Sequence, residues 1–340
     1  MDPYGLRRVA SPKGVLPQRA DVLDPGLPLG EDELSVDVEA LNIDSASFRQ
    51  LEASTGGDPV AIGAEVVRIV RERGKMQNPV TGSGGMLIGR VREVGPRHPA
   101  FEDLQPGERI STLVSLTLTP LVIDEMVAVH PEVERLDVRG RAIVFATGLW
   151  ARLPTDMPER LALAALDVCG APAHVARHTR AGDRILVIGA GKAGALVCAQ
   201  ARQSLGGSGE IVAADRSEAA LRQLAEIGVV DRTLVLDATR GTETLRKVED
   251  AGGFFDLVVN CASVPGTEMS AVLAVRDGGT VIFFSMATSF TAAALGAEGV
   301  GKDATLLIGN GYVPGHADLA IDLLRKNRRL RALFEAKYLR

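Results

Sequence analysis

The sequence predicts an α/β fold in two parts: a doubly wound parallel sheet in the C-terminal half and a smaller β-rich, barrel-like domain before it. Three observations carry this. Residues 184–310 repeat a strand-then-helix pattern, a glycine fingerprint opens that stretch, and the first 150 residues show only short strands between Pro/Gly turns. With 340 residues and 46% apolar content, each part can bury its own core.

The fingerprint comes first. Ile185–Ile188 are four β-capable residues that run into Gly189-Ala-Gly191-Lys192-Ala193-Gly194, and a helical pattern follows over Ala195–Gln203. Gly189 serves the tight turn and Gly191 lets backbone approach a pyrophosphate. Gly194 lets helix and strand pack closely, while Lys192 and Ala193 open the helix whose N-terminal amides face the phosphates. A second strand, Glu210–Asp215, ends in an acid. Asp215 is placed to accept hydrogen bonds from ribose hydroxyls and to repel a 2′-phosphate, which favours NAD. Arg216 beside it would pair with that phosphate, so NADP stays open.

Strands at Thr233–Asp237, Phe255–Asn260, Gly279–Ser285 and Thr305–Asn310 complete a set of six. The helices between them are Ser217–Ile227, Thr242–Ala251 and Met269–Val275. Ligands of such sheets lie beyond the carboxyl ends of the strands. Asn260 and Cys261 after the fourth strand, and Ser285 and Met286 after the fifth, are therefore candidates to hold ribose and carboxamide. Ordinary strand-end turns describe them equally well. The segment Thr288–Lys302 is long for a link between strands, and a lid is expected there.

In the first part, strands are expected at Leu34–Leu41, Gly89–Val94 and Arg109–Val114, with a turn at Pro106–Arg109. Pro59–Arg73 alternates apolar and charged residues at helical spacing and predicts a helix. A β-type stretch over Leu116–Ile123 precedes Glu125 and His130. A last helix, Ala317–Lys326, is expected to return the chain to the first domain. The domains are thus 1–150 with 311–340, and 151–310.

A net charge of −5 excludes a basic nucleic-acid or membrane surface, and the run Arg325–Arg331 fits a solvated helix face. The N-terminus has no apolar signal core and no stretch reaches membrane-spanning length, so a cytoplasmic protein is expected. Cys169, Cys198 and Cys261 cannot form a disulfide framework. A homodimer or larger homo-oligomer is expected.

Gly89-x-Val-x-x-Val-Gly95, Pro106–Ile110 and Ala181–Gly189 resemble the medium-chain dehydrogenase/reductase superfamily, which pairs a GroES-like barrel with a Rossmann domain. Tyr4–Val9, Pro12–Pro17, Leu41–Phe48, Lys75–Met86, Phe284–Phe290 and Gly309–Tyr312 are more specific. They resemble the L-erythro-3,5-diaminohexanoate dehydrogenase family. The resemblance implies NAD-dependent oxidative deamination of (3S,5S)-3,5-diaminohexanoate to 5-amino-3-oxohexanoate in lysine fermentation, with release of ammonia.

It also frames the metal question. Catalytic zinc in the superfamily uses a Cys, a Gly-His-Glu segment and a second Cys; here those positions fall on Asn42, Gly84-Gly85-Met86 and Cys169. One thiolate cannot hold zinc, and three cysteines cannot build a four-cysteine structural lobe, so no metal is expected. Cys169 is expected to be a small buried residue near the nicotinamide.

The same resemblance implies that the loop Asn42–Ser47 faces the nicotinamide, with Asp44 at the position of a proton-relaying hydroxyl and Ser45 beside it. A carboxylate there can pair with a substrate ammonium and accept a proton, or it can cap the following turn. Lys13, Lys75 and Glu125 are further catalytic candidates for the water step and for steadying a cation. Each lysine also fits an ordinary surface position. His174 and His178, spaced i, i+4, fit a solvated helix face. The segment Lys75–Gly85 is rich in amides, hydroxyls and glycine N–H groups, and is either a carboxylate-binding loop or a connector. Two other functions remain: a zinc-free quinone or enoyl reductase, against which Asp215 and Asp44 both speak, and a non-catalytic dinucleotide-binding protein.

Overall fold

The computed structural model describes residues 1–285, 287–308 and 311–339. Its contacts divide the chain into two units, Met1–Pro154 and Thr155–Arg340.

The first unit is built on an antiparallel sheet. A short hairpin of β1 (Val9–Ser11) and β2 (Val22–Leu23) precedes β3 (Glu33–Ile43), α1 (Ser45–Thr55) and α2 (Pro59–Arg73). Then follow β4 (Gly85–Val94), β5 (Arg109–Thr112), β6 (Leu121–His130), β7 (Arg135–Phe145) and β8 (Trp150–Arg152). The sheet order is β6-β7-β3-β4-β5-β8. β3 is flanked on both sides, which explains why it is buried along most of its length.

α2 has the ends its sequence announces. Asp58 caps it by accepting the Ala61 N–H at 3.0 Å, Pro59 takes the first turn, and Gly74 ends it at φ 64°. A Cβ on Gly74 would lie 1.9 Å from the Leu23 carbonyl oxygen, so only glycine fits. Its Ile62, Val66, Ile69 and Val70 join the barrel core.

The expected strand over Leu116–Ile123 is shorter. Leu116–Leu118 form a 3₁₀ turn because the Ser115 hydroxyl accepts the Thr117 N–H, and β6 begins only after Pro120.

The second unit opens with α3 (Glu159–Leu166) and α4 (Gly170–His178). The alternating stretch is β9 (Arg184–Ile188), α5 (Lys192–Leu205), β10 (Glu210–Asp215), α6 (Glu218–Ile227), β11 (Arg232–Val235), α7 (Gly241–Asp250) and β12 (Phe255–Asn260). It continues with α8 (Glu268–Ala274), β13 (Val275–Phe283), α9 (Phe290–Gly299) and β14 (Ala304–Ile308), and ends with α10 (His316–Lys326) and α11 (Arg328–Tyr338). All strand pairs are parallel, in the order β11-β10-β9-β12-β13-β14. The chain leaves β9 in one direction and returns on its other side at β12, so the order reverses at the carboxyl end of β9.

The segment Thr288–Lys302 holds the crossover helix α9, capped by Ser289, because parallel neighbours need a connection of this length. The expectation that the terminal helix returns the chain to the first domain is corrected: the helix is part of the second unit. Ala320, Ile321, Leu323 and Leu324 bury the apolar face of α10 against α3 and α4, and Arg325 pairs with Asp156 at 2.8 Å, so residues 311–339 belong with the second unit. Among the described residues no helix is long and apolar enough to cross a membrane.

Candidate functional site

In the second unit β9 delivers the glycine turn. Gly189 adopts φ 101°, and a Cβ there would stand 2.9 Å from the Ala262 amide nitrogen. A Cβ on Gly194 would lie 1.8 Å from the Gly189 carbonyl oxygen, so α5 and the turn are in backbone contact. Gly191 differs: a Cβ there would meet nothing within 4 Å, so the backbone faces open space. The first bond of the α5 ladder is Ala195 N–H to Gly191 O at 2.9 Å, which leaves the amides of Lys192, Ala193 and Gly194 ahead of it. Positive helix potential and these amides suit a pyrophosphate. The Lys192 ammonium pairs with Asp167 between α3 and α4.

Asp215 closes β10 against the same turn. Its Oδ2 accepts the Ala190 N–H at 2.7 Å and its Oδ1 accepts the Ser217 N–H at 2.8 Å. A carboxylate has about four acceptor positions, so both oxygens can still accept from ribose hydroxyls. Arg216 is exposed, and its charge helps the Thr239 hydrogen bonds hold the Asp237 carboxyl below its ordinary range.

The strand ends are more structural than expected. Asn260 is buried, with its amide donating to Thr267 Oγ1 at 2.8 Å and its carbonyl accepting the Ala262 N–H at 3.1 Å. Its side chain shapes the loop after β12. Cys261 lies half-buried after it, donating its N–H to Ile188 O. The Ser285 hydroxyl accepts the Ala287 N–H at 3.1 Å. Met286 lies outside the described residues.

In the first unit the site is built around Asp44. It is the N-cap of α1, and its Oδ1 accepts the Ser47 N–H at 3.1 Å and the Ser83 hydroxyl at 2.9 Å. Its Oδ2 is buried and has no hydrogen-bond partner among the described residues. One carboxylate oxygen is thus fixed and the other is buried without compensation. A charge in that state calls for a cationic or proton-donating ligand.

The neighbours of Asp44 hold it from two sides. Ser45 donates its hydroxyl to Glu134 Oε2 at 2.7 Å, and the Ile43 N–H donates to Glu134 O. Glu134 sits at φ 56°, the one described residue besides glycine with positive φ. On the other side, the loop from Lys75 to Gly85 wraps the start of α1. Asn78 donates to Gln50 Oε1 at 2.7 Å and accepts the Val80 N–H at 2.8 Å. The segment is a hydrogen-bonded support, and it brings Ser47, Thr81 and Ser83 together next to the carboxylate.

The other candidates lie elsewhere. Lys75 is not on the surface: it is fully buried, and its Nζ donates to Thr117 O at 2.7 Å, Pro17 O at 2.9 Å and Gln18 O at 3.4 Å. Burial lowers its pKa to about 8. Lys13 is exposed and donates to Val9 O at 2.5 Å in the turn after β1.

Glu125 is exposed on β6, paired with Arg139 at 3.2 Å, and lines a groove of 490 Å³ between α2 and β6. Register places Asn42 opposite Arg135, and Arg135 opposite His130. Glu125 therefore sits five residues back along β6, roughly 17 Å from the end of the sheet where Asp44 lies. His130 is at that end, held by Asp137 Oδ2 at 2.8 Å.

Burial pushes the Cys169 thiol up to about 12, as suits an inert packing residue. His174 is buried and stacks on the exposed His178, with ring centroids 6.4 Å apart, so only His178 lies on a solvated face. Among the described residues no three His, Cys, Asp or Glu side chains gather in metal-binding reach.

The neighbours of Asp44 that the sequence did not single out by residue are Ser83 and Thr81, which lie in the hydroxyl-rich segment it did mark, and Glu134. Asp44-x-x-Ser47 is an N-cap pattern, and it would have announced α1. Nothing local announces Ser83, which reaches Asp44 across 39 positions.

Comparison with known proteins then decides the family. The N-terminal-domain profile of L-erythro-3,5-diaminohexanoate dehydrogenase matches residues 7–154. A protein of that name from Acetoanaerobium sticklandii is 49% identical over 339 residues, covering 99% of this chain and 98% of the relative. The chain belongs to the L-erythro-3,5-diaminohexanoate dehydrogenase family. A second family member, from Fusobacterium nucleatum subsp. nucleatum, is 46% identical over the same coverage. An alcohol dehydrogenase from Thermotoga maritima shares the fold, with TM-score 0.54 at 18% identity over 89% of this chain and 84% of that one. The expected fold class and oxidoreductase class therefore hold: this chain is a dehydrogenase with a Rossmann-like parallel sheet and an antiparallel barrel-like unit.

Proposed function

We propose that this dehydrogenase carries out NAD-dependent oxidative deamination of 3,5-diaminohexanoate at carbon 3, giving 5-amino-3-oxohexanoate and ammonia. The observation that carries the reading is Asp44, whose Oδ1 is saturated while Oδ2 is buried and unpartnered. Such an oxygen suits a substrate that brings an ammonium, and it suits neither a quinone nor an enoyl thioester.

The glycine turn with the Lys192, Ala193 and Gly194 amides fits the pyrophosphate, and Asp215 fits the adenosine ribose. The dinucleotide, when bound, accepts the hydride. Asp44 Oδ2 binds the 3-ammonium and takes one of its protons, leaving the amine whose lone pair drives hydride loss from carbon 3. Asp44 is then a neutral acid, so the iminium is relieved by water adding at carbon 3, and Asp44 can return its proton to the amine nitrogen as ammonia departs and the ketone forms. Asp215 favours NAD, since a 2′-phosphate would be brought against a carboxylate already fixed by two amides.

The donor set supports a mechanism without metal: the three positions that hold zinc in related dehydrogenases carry Asn42, Gly84-Gly85-Met86 and one thiol whose proton burial retains. The test is NAD reduction with 3,5-diaminohexanoate beside simple alcohols, ketones and quinones. Turnover confined to the diamino acid supports the reading, and preference for a quinone or alcohol contradicts it.

A further inference from the structure

We infer that Ser83 is a positioning residue, which decides which oxygen of Asp44 meets the substrate ammonium. This rests on the reading of Asp44 just given.

Proton accounting makes the case. In the 2.9 Å contact the Ser83 hydroxyl is the donor and Asp44 Oδ1 the acceptor. Its one proton is committed, and Ser83 can only accept from its other neighbours. Those are Ser47 Oγ at 2.8 Å and Thr81 Oγ1 at 3.1 Å, themselves 2.6 Å apart. Three hydroxyls thus converge with three protons among four contacts, and the order that follows the shortest contacts runs Thr81 to Ser47 to Ser83 to Asp44, which leaves the 3.1 Å approach of Thr81 to Ser83 without a proton. Hydroxyls in such chains polarise one another.

The backbone pins Ser83 as firmly as its side chain. The Asp44 N–H donates to the carbonyl of the adjacent Gly84 at 3.3 Å, and Ser83 O accepts the Asn78 N–H at 2.9 Å. A Cβ on Gly84 would meet Met76 O at 2.6 Å, and one on Gly85 would meet Asn42 O at 2.0 Å. The chain after Ser83 is therefore pressed against the end of β3, so Ser83 cannot move away from Asp44 without displacing backbone. With Ser83 and the Ser47 N–H both on Oδ1, the carboxylate cannot rotate freely, and Oδ2 stays on the unpartnered side.

The experiment is a double-mutant cycle in steady-state turnover of 3,5-diaminohexanoate, using Ser83→Ala, Asp44→Asn and the double variant. Ser83→Ala is expected to lower kcat by about 10-fold with KM changed little, the mark of a misaligned base and not of lost binding. Ser83→Thr should restore most of the loss. In the Asp44→Asn background Ser83→Ala should cost nothing further, because there is no longer a base to align.

An equal loss in both backgrounds, or wild-type kcat in Ser83→Ala, overturns the inference. Full turnover by Asp44→Asn is a separate result: it rejects Asp44 as the base, and Ser83 falls with it. If Ser83→Ala melts below assay temperature, Ser83→Cys, a weak donor of similar size, replaces it. Parity of the Cys and Thr variants then contradicts the inference, and a deficit confined to Cys supports it.

Discussion

At the scale of single residues, burial separates groups that look alike in sequence. Lys75 and Asp44 are both polar residues in polar segments, yet Lys75 has its charge met by three carbonyl oxygens. Asp44 keeps one buried oxygen unmet. Lys75→Met should therefore leave those carbonyls unpaired and cost about 1–3 kcal/mol in urea unfolding, with kcat within about twofold of the parent. A large loss of kcat at unchanged stability would return Lys75 to the catalytic machinery. For Asp215, two amide donors fix the carboxylate at the glycine turn. Asp215→Ala should raise KM for NAD and narrow the gap to NADP, read from kcat/KM for the two cofactors; better use of NADP by the parent would show that Arg216 prevails.

At the scale of elements, the glycine turn was legible because Gly189 and Gly194 each have a steric reason to be glycine, while Gly191 leaves open space beside the backbone. Gly194→Ala should be the clearest test, since its Cβ would sit 1.8 Å from Gly189 O and must push α5 off β9. Calorimetric NAD affinity should fall by at least about 10-fold, with a lower melting temperature, as helix and turn separate. Unchanged binding would mean that the dinucleotide does not use this turn.

α2 was equally legible, because its caps and apolar spacing agree. Three features were not. α1 is capped by Asp44, whose capping role was weighed as an alternative to chemistry, and the two do not exclude each other. α9 is an Ala/Gly-rich crossover with little amphipathic contrast, and it passed for a loop. The hydroxyl cluster at Asp44 depends on contacts between Ser47 and Ser83 that only the folded barrel creates.

At the scale of the whole molecule, composition and strand–helix alternation were enough for two units of different class. The membership of the last helices was not, because α10 and α11 carry an apolar face that any neighbouring unit could cover. The barrel unit carries its own acid-sensitive tie. Arg8 and Glu33 are fully buried and joined at 2.6 Å, with Arg7 on the same carboxylate at 2.7 Å. Burial alone would raise the Glu33 carboxyl, but the Arg8 and Arg7 hydrogen bonds and the Gly30 N–H outweigh it and hold the pKa at about 2. A carboxyl whose folded value is depressed contributes stability that is present above its unfolded value. That contribution is lost as pH falls through the window from about 4.5 toward 2. The stability of Glu33→Gln, followed by circular dichroism, should accordingly fall less over this window than that of the parent. Parallel acid curves would place the sensitivity elsewhere.

The central claim, that Asp44 deprotonates a substrate amine, is tested most directly by the steady-state kinetics of Asp44→Asn with 3,5-diaminohexanoate. Asparagine keeps the size and the cap of α1 while removing charge and basicity. The account predicts that kcat falls by about 10²–10⁴-fold, the usual cost of losing a general base, with NAD affinity unchanged. Near-parental kcat and KM in a folded Asp44→Asn protein would contradict it and leave Asp44 a helix cap.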